Sequence, residues 1–132
     1  MNMPPMVDIL FIALGGALGA AGRYGVSCFF TQLLGPDFPY GTIAVNVLGS
    51  FMLGLAIGIG AHHIMLSEQF KMFFVIGFLG AFTTFSTFSL NTVTLFERGD
   101  LLQASGYVAV SVIVSIAMLM IGIAITRIGG NL

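Results

Sequence analysis

The chain has 132 residues, of which 58% are hydrophobic and only 7% are charged, and its mean hydropathy is +1.07. This composition excludes an ordinary water-soluble domain and predicts a protein whose solvent is lipid. A net charge of −1 with four basic residues leaves no basic surface for nucleic acid and no Lys/Arg cluster for anionic headgroups. We therefore expect small solutes, the bilayer or another copy of the chain as partners.

The hydrophobic pattern predicts four membrane-spanning helices joined by short loops. A span needs about 20 mostly apolar residues, and such segments occupy about residues 6–34, 40–61, 69–96 and 101–128. Because the loops are short, residues 1–132 are expected to form one bundle without a linker or further domain. The N-terminus lacks the features of a signal peptide, so the first segment is expected to remain a span.

Small residues recur on the first two predicted spans. Gly15, Gly19 and Gly22 lie on the first, and Gly54 and Gly58 lie on the second. In lipid, small residues let helix backbones approach closely, so we expect these glycines at helix contacts. The sequence contains no internal repeat, so a symmetric pathway would require oligomerisation.

Positive charge is balanced between the two sides of the predicted bundle. The side that holds both termini has Lys71 and Arg127, while the opposite side has Arg98, together with Arg23 toward the end of the first span. Because the Lys/Arg bias of short loops sets orientation, a balanced count predicts that either orientation inserts. Two copies in opposite orientations would form an antiparallel dimer. The alternative is a single fixed orientation.

The third span has an unusual centre. Residues 77–89 read GFLGAFTTFSTFS, a mixture of Gly, Thr, Ser and Phe that propagates a helix poorly. One interpretation is a break whose freed carbonyls coordinate a cation, which is tolerated at membrane depth only where protein or water covers the backbone. The other is a continuous helix whose hydroxyls bond to carbonyls four residues earlier. The residues alone favour neither interpretation.

Two other spans have polar residues at intervals of four. These are Thr42, Asn46 and Ser50 on the second span and Tyr107, Ser111 and Ser115 on the fourth. Residues at this spacing share one helix face. The Asn46 amide is costly in lipid and is expected to face the bundle interior, where it either donates to an anion or forms an interhelical hydrogen bond.

The remaining polar residues give weaker indications. Arg23, a basic residue within the first span, either attracts anions into a vestibule or snorkels to the interface. His62 and His63 lie at a span end without a third metal ligand and are expected to be solvated, and Cys28 is expected to be a buried spectator. The carboxylates, none of which falls near the centre of a span, are Asp8, Asp37, Glu68, Glu97 and Asp100.

Phe85 and Phe88 are three residues apart, close to one face if the helix persists there. Aromatic rings have a positive edge, so two rings can stabilise a small anion without a fixed charge that would trap it. Simple packing is the alternative, because the chain contains thirteen phenylalanines.

Three motifs together resemble the Fluc (CrcB) fluoride channel family. They are residues 15–24, GGALGAAGRY, residues 41–51, GTIAVNVLGSF, and residues 77–89. The resemblance implies an all-α membrane protein of four transmembrane helices with a break in the third, assembled as an antiparallel, dual-topology homodimer in the cell (inner) membrane. It also implies two separate fluoride pores, each lined by both subunits.

The resemblance assigns roles to individual pore residues. Phe85 and Phe88 resemble the family's phenylalanine box, whose ring edges meet the ion, and Asn46 resembles its pore asparagine. The residues that resemble its polar pore track are Thr42, Tyr107, Ser111 and Ser115.

Two further roles lie outside the pore itself. Arg23 matches the family's arginine near the vestibule. The resemblance implies that backbone carbonyls of Gly80 and Thr83 from both subunits hold a structural sodium ion at the dimer interface. Neutral oxygens suit such a hard cation.

The implied function is passive, electrogenic export of fluoride without ATP or proton coupling. A small multidrug transporter has similar length and span count, but it needs a membrane-embedded carboxylate for proton exchange. A noncatalytic assembly subunit is the third alternative and predicts no ion flux. An enzyme is not expected, because no nucleophile, base and orienting group occur in a plausible arrangement.

Overall fold

The computed structural model describes residues 4–129 and consists there of helices and short connections. The helices are α1 (Met6–Leu34), α2 (Tyr40–His62), α3 (residues 68–82), α4 (Phe85–Glu97) and α5 (Leu101–Gly129). Four segments are long and apolar enough to cross a membrane, with α3 and α4 together forming the third. The predicted all-α, four-span architecture is confirmed, and its boundaries agree within one residue.

The α3 helix changes its winding along its length. A first turn, Glu68–Phe70, leads into a π-helix at Lys71–Leu79 and a last turn at Gly80–Phe82. A π-helix bonds each N–H five residues back and has a wider turn than an α-helix. Four ring side chains at intervals of four stack along α3, with successive centroids 5.3, 5.6 and 5.5 Å apart: Phe70, Phe74, Phe78 and Phe82.

Two residues with extended backbone separate α3 from α4. Thr83 has φ −81° and ψ 159°, and Thr84 has φ −155° and ψ 118°. The Thr84 hydroxyl then caps the new helix by accepting from the Thr87 N–H at 3.1 Å. The chain thus restarts a helix in the middle of the third span.

Glycines form the contacts between the paired helices. On α1, Gly15 and Gly19 lie against backbone carbonyls of α3, so that an added Cβ at either position would overlap those carbonyls. On α2, Gly54 lies against the backbone of α5, and Gly58 lies against the Thr126 hydroxyl. The predicted packing role of these four glycines is confirmed, and a Cβ at Gly22 would lie 3.5 Å from the Phe82 ring.

The ends of α2 and α5 are also joined by a histidine. The Nε2 atom of His63 lies 2.7 Å from the Thr126 carbonyl oxygen, to which it is placed to donate. His63 is exposed, as expected for a span end, but it contacts α5 rather than solvent alone.

Candidate ion-binding groove

A groove of about 420 Å³ lies between α2, α3, α4 and α5 and is open on one side. It is centred on the extended residues of the third span. Eight residues that the sequence singled out line it: Asn46, Ser50, Gly80, Thr83, Phe85, Phe88, Ser111 and Ser115. Thr42, Tyr107 and Arg23 are not among its lining residues.

Asn46 holds the extended segment from α2. Its Nδ2 donates to the Thr84 carbonyl at 3.0 Å, and its Oδ1 accepts from the Thr84 N–H at 2.7 Å. In a continuous helix that N–H would bond to the Gly80 carbonyl. The interhelical hydrogen bond that was one interpretation of Asn46 is therefore present, and one of its two amide hydrogens is used in it.

Ser111 and Ser115 present hydroxyls without partners. Both Oγ atoms are buried and make no hydrogen bond within residues 4–129, and the Ser111 side chain belongs to a residue that is only 5% exposed. An unpaired buried hydroxyl is costly and usually indicates a missing partner. The two hydroxyls lie one helical turn apart on the same wall of the groove, where they can donate to a bound acceptor.

Two phenylalanine rings line the same groove from α4. The centroids of Phe85 and Phe88 are 5.5 Å apart, with the ring planes tilted by 43°. Phe85 is 79% exposed, because the groove is open beside it. Phe88 also contacts the Tyr107 ring, with centroids 5.3 Å apart. The rings therefore extend from the open groove to the buried core.

Asn91, a residue that sequence reasoning missed, forms hydrogen bonds with both Thr42 and Tyr107. Asn91 on α4 donates to the Thr42 hydroxyl at 2.9 Å and to the Tyr107 hydroxyl at 3.2 Å. Asn91 lies three residues after Phe88 and is an amide within an apolar span. The cost of an amide in lipid, which pointed to Asn46, applies equally to Asn91 and would have identified it.

Arg23 is half-buried on α1 and lies outside the groove lining. Within residues 4–129 the recorded ion pair is that of Lys71 with Glu68, at 2.8 Å between exposed side chains. Arg23 therefore forms no ion pair with a carboxylate within residues 4–129. Its role in a vestibule stays a prediction.

Gly80 and Thr83 line the groove where a cation could meet backbone oxygens. The Thr84 N–H is turned away from Gly80 toward Asn46, and the Thr83 hydroxyl donates to the Leu79 carbonyl at 2.9 Å. No cluster of three or more His, Cys, Asp or Glu side chains occurs within the described part of the chain. Neutral oxygens at this place suit a hard cation better than a soft transition metal.

Comparisons with known proteins agree on one family. The family model "CrcB-like protein, Camphor Resistance (CrcB)" matches residues 10–123. A relative from Agrobacterium fabrum is 46% identical over 122 residues, which is 92% of this chain and 98% of the relative. One from Cereibacter sphaeroides (strain ATCC 17029) is 48% identical over 120 residues, or 91% of this chain and 94% of the relative. Both relatives are named "Fluoride-specific ion channel FluC".

Proposed function

Since the chain belongs to the CrcB-like family, we propose that it is a fluoride-selective channel through which cytoplasmic fluoride leaves the cell passively. The relatives are named as ion channels, which are not enzymes. The four apolar spans make this chain a multi-pass membrane protein. The proposal places it in the inner membrane.

The observation that supports this function best is the pair of unpartnered hydroxyls in the groove. Ser111 and Ser115 supply two hydrogen-bond donors without charge, in the same groove as the ring pair of Phe85 and Phe88. Fluoride is small and holds its water tightly, so a pore must replace that water with donors and with positive ring edges. No charged side chain lines the groove, so none holds the ion there.

We propose that a second copy of the chain covers the open side of the groove. The exposed ring of Phe85 and the half-buried extended residue Thr83 would otherwise face lipid near the middle of the span. Irregular backbone is not tolerated against hydrocarbon. In an antiparallel dimer, which the balanced basic residues permit, the partner covers each groove and gives two pores.

A structural sodium ion belongs to the same proposal. It would be held by the Gly80 and Thr83 carbonyls of both copies and would supply a positive charge that joins two segments of broken helix. The turning of the Thr84 N–H toward Asn46 supports this, because it releases the Gly80 carbonyl from its usual helical partner. Arg23 would attract the anion to a vestibule outside the groove.

The direction of transport follows from the proposed mechanism. Fluoride that enters a cell as neutral HF ionises in the cytoplasm and accumulates there. A passive channel releases the anion down its electrochemical gradient, which a negative membrane potential reinforces. The transport is therefore electrogenic and needs neither ATP nor proton exchange. No carboxylate lines the groove to serve a proton-coupled transporter.

The test is ion efflux from proteoliposomes that contain only this purified protein. Valinomycin-dependent fluoride efflux, with little chloride efflux, is expected. Phe85→Ile should abolish the flux, whereas Phe29→Ile is the matched control, because Phe29 is also exposed but lies on α1 outside the groove. A folded wild-type protein without fluoride efflux would refute the proposal and favour the transporter or assembly subunit.

A further inference from the structure

A second cavity, of about 440 Å³, lies where α1 ends and where α2 and α5 begin. The residues that line it are Leu34, Asp37, Phe38, Tyr40 and Gln103. It shares no lining residue with the groove. Because spans end and begin here, the cavity lies at the level of the lipid headgroups, where amphipathic rings such as that of Tyr40 are favoured.

Asp37 brings a negative charge to the cavity. Its side chain is exposed, and its carboxylate forms no ion pair within residues 4–129. Arg98 reaches the same loop, but its guanidinium donates to the Asp37 backbone carbonyl at 3.4 Å rather than to the carboxylate. Tyr40 and Gln103 add a phenol oxygen and an amide oxygen to the lining. The lining therefore favours a cation that donates hydrogen bonds.

Two aromatic rings line the cavity beside this carboxylate. The centroids of the Phe38 and Tyr40 rings are 4.8 Å apart, and the ring planes are tilted by 58°. Phe38 also makes an edge contact with the fully buried Tyr107 ring, at 5.7 Å between centroids, so the bundle core holds it in place. The faces of aromatic rings attract cations, organic ammonium ions above all. A carboxylate beside two rings thus suits an organic ammonium.

The set of oxygens favours a primary ammonium over other cations. Calcium takes about six to eight oxygen ligands, and one carboxylate with two neutral oxygens falls short of that number. A quaternary ammonium has no hydrogen to donate to these oxygens. A primary ammonium has three donors, and Asp37, Tyr40 and Gln103 each offer an acceptor.

A phospholipid with an ethanolamine headgroup brings such an ammonium to this level of the membrane. Leu34, which is 51% exposed, adds an apolar side chain at the end of a span that lipid surrounds. Arg98 is exposed beside the loop, and a guanidinium is a strong partner for the phosphate of the same headgroup. The ammonium and the phosphate therefore each have a residue of opposite charge at this end of the bundle.

We propose that this cavity binds the headgroup of phosphatidylethanolamine, with the ammonium on Asp37 beside the Phe38 and Tyr40 rings and the phosphate on Arg98. The site is separate from the groove, so its occupation does not depend on fluoride transport.

The test is native mass spectrometry of the purified protein in neutral detergent, with equal concentrations of phosphatidylethanolamine and phosphatidylcholine that have the same acyl chains. The wild type should retain the ethanolamine lipid preferentially. Asp37→Asn should bind that lipid about tenfold more weakly, because it loses a charge-assisted hydrogen bond, and should lose the preference. Asp100→Asn is the matched control, since it removes the same charge just before α5 at a residue outside the cavity lining.

Two further variants separate the parts of the headgroup. Arg98→Gln should weaken the binding of both lipids equally, because both have a phosphate. Tyr40→Phe keeps the ring but removes one acceptor, so a smaller loss of preference is expected. It also tests the site if Asp37→Asn does not fold.

Three results would overturn the inference. The first is equal retention of the two lipids by the wild type, and the second is an undiminished preference in folded Asp37→Asn or Tyr40→Phe. The third is binding of soluble phosphoethanolamine as tightly as the lipid, which would identify a free solute as the ligand. The proposed channel function would stand in each case, because fluoride efflux is measured separately.

Discussion

Asn46 on α2 and Thr84 in the third span exchange two hydrogen bonds across 38 positions of sequence. One side-chain amide thereby pairs with both backbone groups of a residue in extended conformation. A continuous helix would have satisfied these groups within the segment itself. Asn46 therefore supplies, from a neighbouring helix, the pairing that the interrupted segment lacks, and it does so at the edge of the groove.

Replacement of Asn46 by alanine should destabilise the fold. Asn46→Ala leaves the N–H and the carbonyl of Thr84 without partners in an apolar interior, at an expected cost of about 1–3 kcal/mol. Thermal unfolding in detergent, followed by circular dichroism, should show a lower midpoint. Ser50→Ala, one turn farther along the same helix, is the control for loss of a polar group. An Asn46→Ala midpoint equal to that of wild type would show that the Asn46–Thr84 hydrogen bonds do not stabilise the fold.

Gly49 and Thr83 should show strong coupling in stability. A Cβ at Gly49 would overlap the Thr83 methyl group and lie 3.5 Å from the Phe82 ring, so Gly49→Ala must shift the Thr83 side chain or the segment that carries it. We expect a loss of about 1–3 kcal/mol, as for other overpacked sites. Gly25→Ala is the matched control, since a Cβ there meets nothing within 4 Å.

The same pair allows a rescue. Thr83→Ser keeps the hydroxyl but removes the methyl group that Gly49→Ala would meet. The double variant should therefore regain much of the lost unfolding midpoint, which is a non-additive effect expected of residues in contact. Additive losses would show that the damage of Gly49→Ala arises elsewhere on α2.

Ser111 and Ser115 should affect transport and stability in opposite ways. Their buried hydroxyls have no partner within residues 4–129, so Ser111→Ala or Ser115→Ala removes a desolvated polar group and should leave the unfolding midpoint unchanged or slightly higher. If the hydroxyls bind fluoride, its efflux from proteoliposomes should nevertheless fall, by about tenfold for the loss of one donor to an anion.

The matched control for these serines is Ser105→Ala, at an exposed position on the same helix. It should change neither the midpoint nor the flux. A fall in stability that accompanies the fall in flux would instead indicate that Ser111 and Ser115 have partners across the dimer interface. Wild-type flux in both Ser111→Ala and Ser115→Ala would show that neither serine belongs to the pore.

The helices were predictable because length and apolar composition determine a span. The glycine contacts were predictable for a similar reason, since close backbone approach in lipid requires a missing side chain. The π-helix at Lys71–Leu79 was not, because a segment that is apolar on every side shows no period from which its winding can be read. The stacked phenylalanines at intervals of four fit either winding in sequence.

The candidate site was predictable residue by residue but not as a set of contacts. The composition of residues 77–89 supports a break and a continuous helix equally. The pairing of Thr84 with Asn46, which accompanies the break, depends on a distant helix. Asn91 was missed for the same reason, since its partners lie on α2 and α5. The roles assigned to the pore residues by resemblance stay predictions.

Removal of sodium should weaken the dimer if the Gly80 and Thr83 carbonyls of two copies share one ion. These carbonyls come from a broken helix and are neutral, so their binding energy depends on the ion that they surround. Exchange of sodium for a large organic cation, such as N-methyl-D-glucamine, should shift the protein toward the monomer in light scattering after size-exclusion chromatography. The fluoride flux should fall with it, because each groove is open without its partner.

The return of sodium should restore both the dimer and the flux, which distinguishes loss of an ion from irreversible unfolding. Potassium should restore them less well, since its larger radius does not match the same set of oxygens. Asn46→Ala should require more sodium than wild type for the same dimer fraction, because the extended segment beside the Gly80 carbonyl loses its anchor on α2. A dimer that persists and conducts fluoride without sodium would show that the ion is needed for neither. Packing between the two copies would then be enough to cover the groove.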